Sequence, residues 1–215
     1  SRHFDDSYDR YNFRTNITSQ VNDWLKFEIR TSLAVDSQRA ASNSRGNWAG
    51  LYSKMVTSPV TVPTGGYWRD GVTYIKDGGA TLGSNKDGWL MGDVTLTPLP
   101  GLEIKGGFNY NYNLFTRVAA ATDFQYQTTD GSYVWIGLIP TLSKYSQTSN
   151  YYNYNAYASY DRKLGGHYFK LMAGVQREFK HYESLTAGND YLYTSSLPAL
   201  SLTYGTNYTV SDALY

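Results

Sequence analysis

The sequence predicts an all-β fold: an antiparallel meander of about six long strands, part of a transmembrane β-barrel, with long loops on one side. Three observations predict it. Apolar and polar residues alternate strictly through several runs, and a strand's side chains point to opposite faces at every residue, so each run has one greasy and one charged face. The runs are about 11 residues long, where a soluble strand is typically ~5–6 and a tilted bilayer-crossing strand needs ~9–11. Short turns alternate with connections of some tens of residues, whereas structureless loops beyond ~15 residues are uncommon in compact domains.

The first hairpin, near residues 8–35, has the clearest pattern. Tyr11, Phe13, Thr15, Ile17 and Val21 interleave with Arg10, Asn12, Arg14, Asn16, Thr18 and Gln20. After Asn22-Asp23-Trp24, Leu25, Phe27, Ile29, Leu33 and Val35 interleave with Lys26, Glu28, Arg30 and Ser32. The apolar set is odd-numbered on both strands, so paired residues must sum to an even number. A sum of 44 would oppose Arg14 and Arg30, which repel across a ladder. A sum of 46 sets Ile17 opposite Ile29, Phe13 opposite Leu33 and Asn16 opposite Arg30, and leaves Asn22-Asp23-Trp24 as a three-residue loop.

The second hairpin, near 88–112, alternates through Leu90, Val94 and Leu96, and turns at Pro98-Leu99-Pro100-Gly101. Proline fixes φ and cannot donate to a ladder, which favours the turn. It returns with Leu102, Ile104, Phe108, Tyr110 and Tyr112 against Glu103, Lys105, Asn109 and Asn111. The third, near 151–180, sets Tyr152, Tyr154, Ala156, Ala158 and Tyr160 against Asn153, Asn155, Ser159 and Asp161. It turns at Arg162-Lys163-Leu164-Gly165-Gly166 and returns through Phe169, Leu171, Ala173, Val175 and Phe179. Segments 36–86, 113–149 and 181–215 are expected to be loops leaving one edge of the sheet, with no further clear strand in the last. In a barrel of this kind they are extracellular and the turns periplasmic.

Composition agrees without deciding. Aromatics reach 16%, with 22 Tyr and 5 Trp, yet mean hydropathy is −0.49. A transmembrane barrel has this mixture because only alternate residues meet lipid and aromatic girdles mark both interfaces. A soluble, Tyr-rich β-module that binds carbohydrate at the cell surface shares it, but must bury Phe13, Ile17, Phe27, Ile29, Phe108 and Phe169 in one core. With 19 basic and 18 acidic residues the net charge is +1, which offers no footprint for nucleic acid. Cysteine is absent, which removes disulfide and thiol chemistry. No apolar run approaches the ~18 residues of a membrane helix.

Residues 11–35, 89–112 and 152–179 resemble consecutive barrel hairpins of the SusC/RagA family of TonB-dependent outer-membrane transporters. The Asn22-Asp23-Trp24-Leu25 turn, the Thr97-Pro98-Leu99-Pro100-Gly101-Leu102 turn and Gly165-Gly166-His167 carry the likeness most closely. Ser58-Pro59-Val60 and Gly65-Gly66-Tyr67 are similar to the family's proline-and-glycine loop. The resemblance implies import of an oligosaccharide or peptide solute across the outer membrane of a Gram-negative cell. It also implies outer-membrane lipid, a SusD-like lipoprotein and the TonB complex as partners. Neither a plug nor a TonB-contacting segment is recognisable, and about six strands fall short of the ~8 in the smallest barrels. Residues 1–215 are therefore expected to be one partial barrel domain, wall and loops, with the plug domain absent.

Candidate functional residues follow from the two faces and the loops. Arg10, Arg14, Lys26, Glu28 and Arg30 face away from lipid, either to guide a polar solute or, more often in such walls, to pair with one another. Trp48, Tyr67, Trp68, Tyr74, Trp135 and Tyr145 fall in the expected loops and are ligand-contact candidates, since aromatic faces stack on sugar rings while a polar edge stays wet. Trp24, Trp89, Tyr110, Tyr112, Tyr152 and Tyr154 sit at strand ends and suit a girdle. No catalytic motif is present, and no metal site or cofactor is expected. His3, His167 and His181 have no neighbour at ligand spacing. Residues 77–87 lack the Asp-x-Asp-x-Asp-Gly order of a calcium loop, and the sequons at Asn16 and Asn207 are chance matches.

Overall fold

A computed structural model describes residues 6–42, 61, 72–128, 130–194 and 196–215. Its strands are β1 (Ser7–Asn22), β2 (Leu25–Ala41), β3 (Gly79–Leu99), β4 (Leu102–Ala121), β5 (Gln125–Gln127), β6 (Tyr133–Trp135), β7 (Thr141–Leu164), β8 (His167–Asp190) and β9 (Thr209–Leu214). A short helix, α1 (Val72–Asp77), precedes β3. Seven strands form one antiparallel sheet in the order β1-β2-β3-β4-β7-β8-β9, and β5 and β6 form a separate small ribbon.

The first hairpin has the expected register: Ile17 pairs with Ile29, Phe13 with Leu33 and Asn16 with Arg30. The turn differs. The ladder shifts between Gln20 and Asn22, and Asn22 pairs with Leu25. Val21 is thus absorbed into a bulge, which shortens the three-residue loop to Asp23-Trp24.

The main strands run 16 to 24 residues, well beyond the apolar runs. They extend through 36–41, 79–86, 113–121, 141–149 and 181–190, all expected to be loop. Several stretches of these extensions, such as Ser37-Gln38-Arg39 and Ser146-Gln147-Thr148, are polar on both faces and carry no period-2 hydropathy signal. β9 is a further correction: Thr209–Leu214 pairs with Glu183–Gly188, a seventh strand too short and too polar to stand out.

The three short turns lie along one edge, where the backbone N–H of Thr97 donates to Trp24 O (2.8 Å) and that of Asp161 to Gly101 O (2.8 Å). At the other edge the N–H of Ser42 donates to Gly79 O (2.9 Å) and that of Leu192 to Pro140 O (3.3 Å). One ladder row links Ile17, Ile29, Gly92, Phe108, Tyr154 and Arg177. From the nearest turn residue, Ile17 and Ile29 lie 6 and 5 positions away, Gly92 and Phe108 8 and 7, Tyr154 and Arg177 11 each. The offset therefore grows by about 1.4 residues per strand. At ~3.4 Å rise and ~4.8 Å strand spacing, turns sharing one rim require a strand tilt of about 45°, as in closed barrels.

The two faces differ as the alternation requires. On the odd face of β1 and β2, Phe13 is 61% exposed, Ile17 56% and Ile29 47%; Phe27, Leu33 and, on β8, Phe169 are exposed too. Phe108 is half-buried. Among the described residues no common core gathers them, which the soluble module would require. The buried apolar cluster lies elsewhere: Ala120, Leu142 and Leu192, with Val118 and Leu200 packed against them. Ala120, Leu142 and Val118 sit on this same outer face, far from the turns, where the segment around Leu192–Leu202 folds back over them.

Candidate functional site

The inner face, built from even residues of β1, β2 and β8 and odd residues of β3, β4 and β7, is a hydrogen-bonded polar wall. Alternation puts Asn109, Asn111 and Asn113 on one side of β4, and Asn153 and Asn155 beside them on β7. Asn113 Nδ2 donates to Asn85 Oδ1 (2.9 Å), and Asn85 Nδ2 to Asp36 (3.3 Å). Asp87 accepts from Asn111 Nδ2 (2.9 Å) and from Trp89 Nε1 (3.1 Å). Asn109 donates to Asn153 (3.2 Å), Asn153 to Glu178 (3.0 Å) and Gln176 to Glu178 (2.6 Å). Short amides locked to neighbours across five strands lose little side-chain entropy on contact with a polar solute.

The charges of this wall largely neutralise one another. Lys26 pairs with Glu28 and Arg30 with Asp93, while Lys105 Nζ lies 3.0 Å from Glu103. Arg10 and Arg14 stand on β1, both exposed, and Arg10 Nε donates to Asn12 Oδ1 (3.3 Å). Paired wall charges act as scaffold more than as free counter-charges. Asp93 and the asparagine ladder were not singled out from sequence as functional, although the two-residue spacing of Asn109, Asn111 and Asn113 was the visible signal.

The loop aromatics separate. Trp48, Tyr67 and Trp68 lie outside the described residues, as do Ser58-Pro59-Val60 and Gly65-Gly66. Tyr74 lies in α1 rather than in open loop. Tyr145 is not in a loop either. It stands on β7 facing inward, its ring 5.9 Å from Phe115, and its hydroxyl donates to Gln147 Oε1 (2.7 Å). The neighbouring Tyr182 hydroxyl, 3.2 Å away, pushes the Tyr145 phenol above its ordinary range.

Trp135, 59% exposed at the end of β6, borders an open cavity of about 710 Å³ with Asp123, Tyr193 and Tyr204. Asp123 Oδ1 accepts the N–H groups of Phe124 (3.0 Å), Gly137 (3.1 Å) and Leu138 (3.1 Å), which clamps the base of the β5–β6 ribbon and aims Trp135. Tyr193 and Tyr204 were missed because their partner lies far along the chain. Sequence showed only a tyrosine-rich stretch.

One girdle assignment is corrected. Trp89 pairs with Ser32 and Asn111, so parity puts it on the polar face, with its ring 6.3 Å from Tyr151. Tyr110, Tyr112, Tyr152 and Tyr154 do occupy the outer face, Tyr110 stacked on Tyr152 at 4.8 Å.

No family model matches the sequence, and no curated protein matches it. Solved structures do match in fold. Similar chains come from the RagAB peptide importer in its closed-closed state (16% identity, TM-score 0.71, 98% of this chain and 25% of that one) and in its open-open state (14%, 0.73, 98% and 24%). A further RagAB peptide transporter chain matches at 14% identity and TM-score 0.67, over 96% and 25%. The chain thus spans about a quarter of the length of these neighbours. They share its architecture: an antiparallel stretch of barrel wall.

Proposed function

We propose that this chain forms part of the wall of a nutrient importer of the SusC/RagA type in a Gram-negative outer membrane. One observation carries the reading. The outer face is apolar and bare for about eleven residues above the turns, and beyond that, on β4 and β7, the chain's own Leu192 and Leu200 cover it. Water would penalise the bare part, since soluble proteins rarely expose apolar patches larger than a few hundred Å². Lipid would not, whereas the distal part must be roofed because it stands in water. The fold of the RagAB chains supports transport over catalysis, and their peptide cargo supports a peptide or oligosaccharide solute here.

In this reading the long segments are extracellular and the asparagine wall is the lumen side. The partners are a SusD-like lipoprotein outside and the TonB complex inside. Solute selection falls to aromatics of the long segments, such as Trp68 and Trp135, because the charges of Lys26, Glu28 and Arg30 are already paired. The test uses the whole protein that carries this chain. It should fractionate with the outer membrane, and uptake of labelled peptides or oligosaccharides should stop when a protonophore collapses the energising gradient. Trp68→Ala or Trp135→Ala should weaken solute capture more than Lys26→Ala. Energy-independent uptake, or equal capture by all three variants, contradicts the respective part of the reading.

A further inference from the structure

Among the described outer-face residues within eleven positions of the turns, the only basic side chains are His167, Arg162 and Arg177. His167 and Arg162 lie at the turn itself, 1 and 3 positions away. Arg177 is different. It follows Leu171, Ala173 and Val175 on the outer face of β8, where Leu171 and Val175 are each 74% exposed, and no carboxylate pairs with it among the described ion pairs.

The tilt deduced from the register decides its height. Eleven residues climbing at about 45° rise roughly 26 Å above the rim of turns, close to the ~25 Å apolar band of such barrels. Tyr154, directly opposite on β7, stands at the same level, as do Tyr112, 11 positions from its turn, and Tyr11, 12 positions from its own. These tyrosines form the distal aromatic row. The guanidinium is directed away from the band: it lies 4.3 Å from the ring centroid of Phe179, two residues further from the turn. An arginine at mid-band on the lipid side would be strongly destabilising but costs close to nothing at the interface, and its long stem lets the head rise into the polar layer.

Resting on the membrane reading above, we propose that Arg177, stacked on Phe179 and flanked by Tyr154, binds the phosphate of an anionic lipid headgroup at the distal interface. The planar fork suits two phosphate oxygens at once, and the aromatic rings beneath it exclude water from one side. A free inorganic anion and a carboxylate from another strand are the competing occupants. Neither depends on lipid.

The experiment uses the whole protein in neutral detergent, with phosphatidylglycerol, phosphatidylcholine or inorganic phosphate added. Butanedione modification of Arg177 in the unaltered protein, read by peptide mass, should slow at least threefold with phosphatidylglycerol and remain unchanged with the other two. Phosphatidylglycerol should also raise the melting temperature by several degrees, an effect at least halved in Arg177→Gln, partly kept in Arg177→Lys and unaltered in Arg10→Gln. Protection by inorganic phosphate alone, no protection at all, or an undiminished shift in Arg177→Gln overturns the proposal. A protein that never associates with detergent or lipid overturns the membrane reading itself, a distinguishable result.

Discussion

Leu142 and Leu171 share the outer face of adjacent strands, yet one is 1% exposed and the other 74%. Leu142 is the anchor under Leu192, so Leu142→Ala leaves a cavity and should cost about 2–3 kcal/mol of local stability. We expect limited proteolysis within 191–205 to accelerate in Leu142→Ala and to be unchanged in Leu171→Ala. Equal cleavage would mean the cluster does not hold the segment down. Asp130 offers a pH test. Its carboxylate accepts the Thr128 hydroxyl, the Ser132 N–H (3.1 Å) and the Ser132 hydroxyl (2.8 Å), which hold its pKa at about 2 against an ordinary 3.8. A depressed folded-state pKa stabilises above the ordinary value and is lost as pH falls through the folded one. The protection of the Ser132 amide, its exchange rate relative to the intrinsic rate at the same pH, should therefore hold down to pH ~4 and fall between pH ~4 and ~2. In Asp130→Asn that dependence should vanish.

The hairpins depend on their turns. Gly101 sits at φ +85°, and a Cβ there would come 2.1 Å from the carbonyl oxygen of Asp161, whose N–H donates to Gly101 O. Gly101→Ala thus combines left-handed strain with a backbone clash, and should destabilise by ~2 kcal/mol or more. Gly137, at φ +79°, has open space where a Cβ would stand, with nothing within 4 Å, and carries only the strain. Its alanine variant should cost ~1 kcal/mol. Denaturant melts of the two variants side by side measure the difference, and equal losses would show that the β4–β7 contact at the turn contributes nothing.

Across the whole sheet, parity decides what a charge costs. Ile17 and Asn16 are adjacent in sequence and face opposite ways, Ile17 towards lipid in the proposed setting and Asn16 towards Arg30. Ile17→Arg should cost ~2–4 kcal/mol of stability in a bilayer, and Asn16→Arg less than ~1 kcal/mol. Refolding titrations into lipid vesicles measure both, and similar costs would argue that the odd face does not meet lipid. The same parity explains the polar wall. Asn109 meets Asn153 on β7, and Asn111 and Asn113 meet Asp87 and Asn85 on β3, only because both registers are in phase along the strands.

Alternation, turn chemistry and like-charge avoidance by themselves determined the faces and the Ile17–Ile29 register, because all three are local or act between neighbouring strands. The strand ends were not legible. Beyond residues 35 and 180 the extensions Ser37-Gln38-Arg39 and His181-Tyr182-Glu183-Ser184 are polar on both faces. On β4 and β7 the apolar Val118, Ala120 and Leu142 are covered by the segment around Leu192–Leu202, far along the chain, rather than by a neighbouring strand, so the hydropathy does not mark where strand gives way to loop. Tyr145 accordingly moved from loop to strand, and Trp89 from girdle to polar face, since a one-residue offset reverses a side chain's face. The tertiary structure alone decided which distant residues meet: Trp135 with Tyr193 and Tyr204, Leu142 with Leu192, and Arg177 level with Tyr112. Those encounters depend on the stagger between hairpins and on how a distal segment folds back. Both are set by the sum of many ladder contacts, and no single stretch of sequence encodes them.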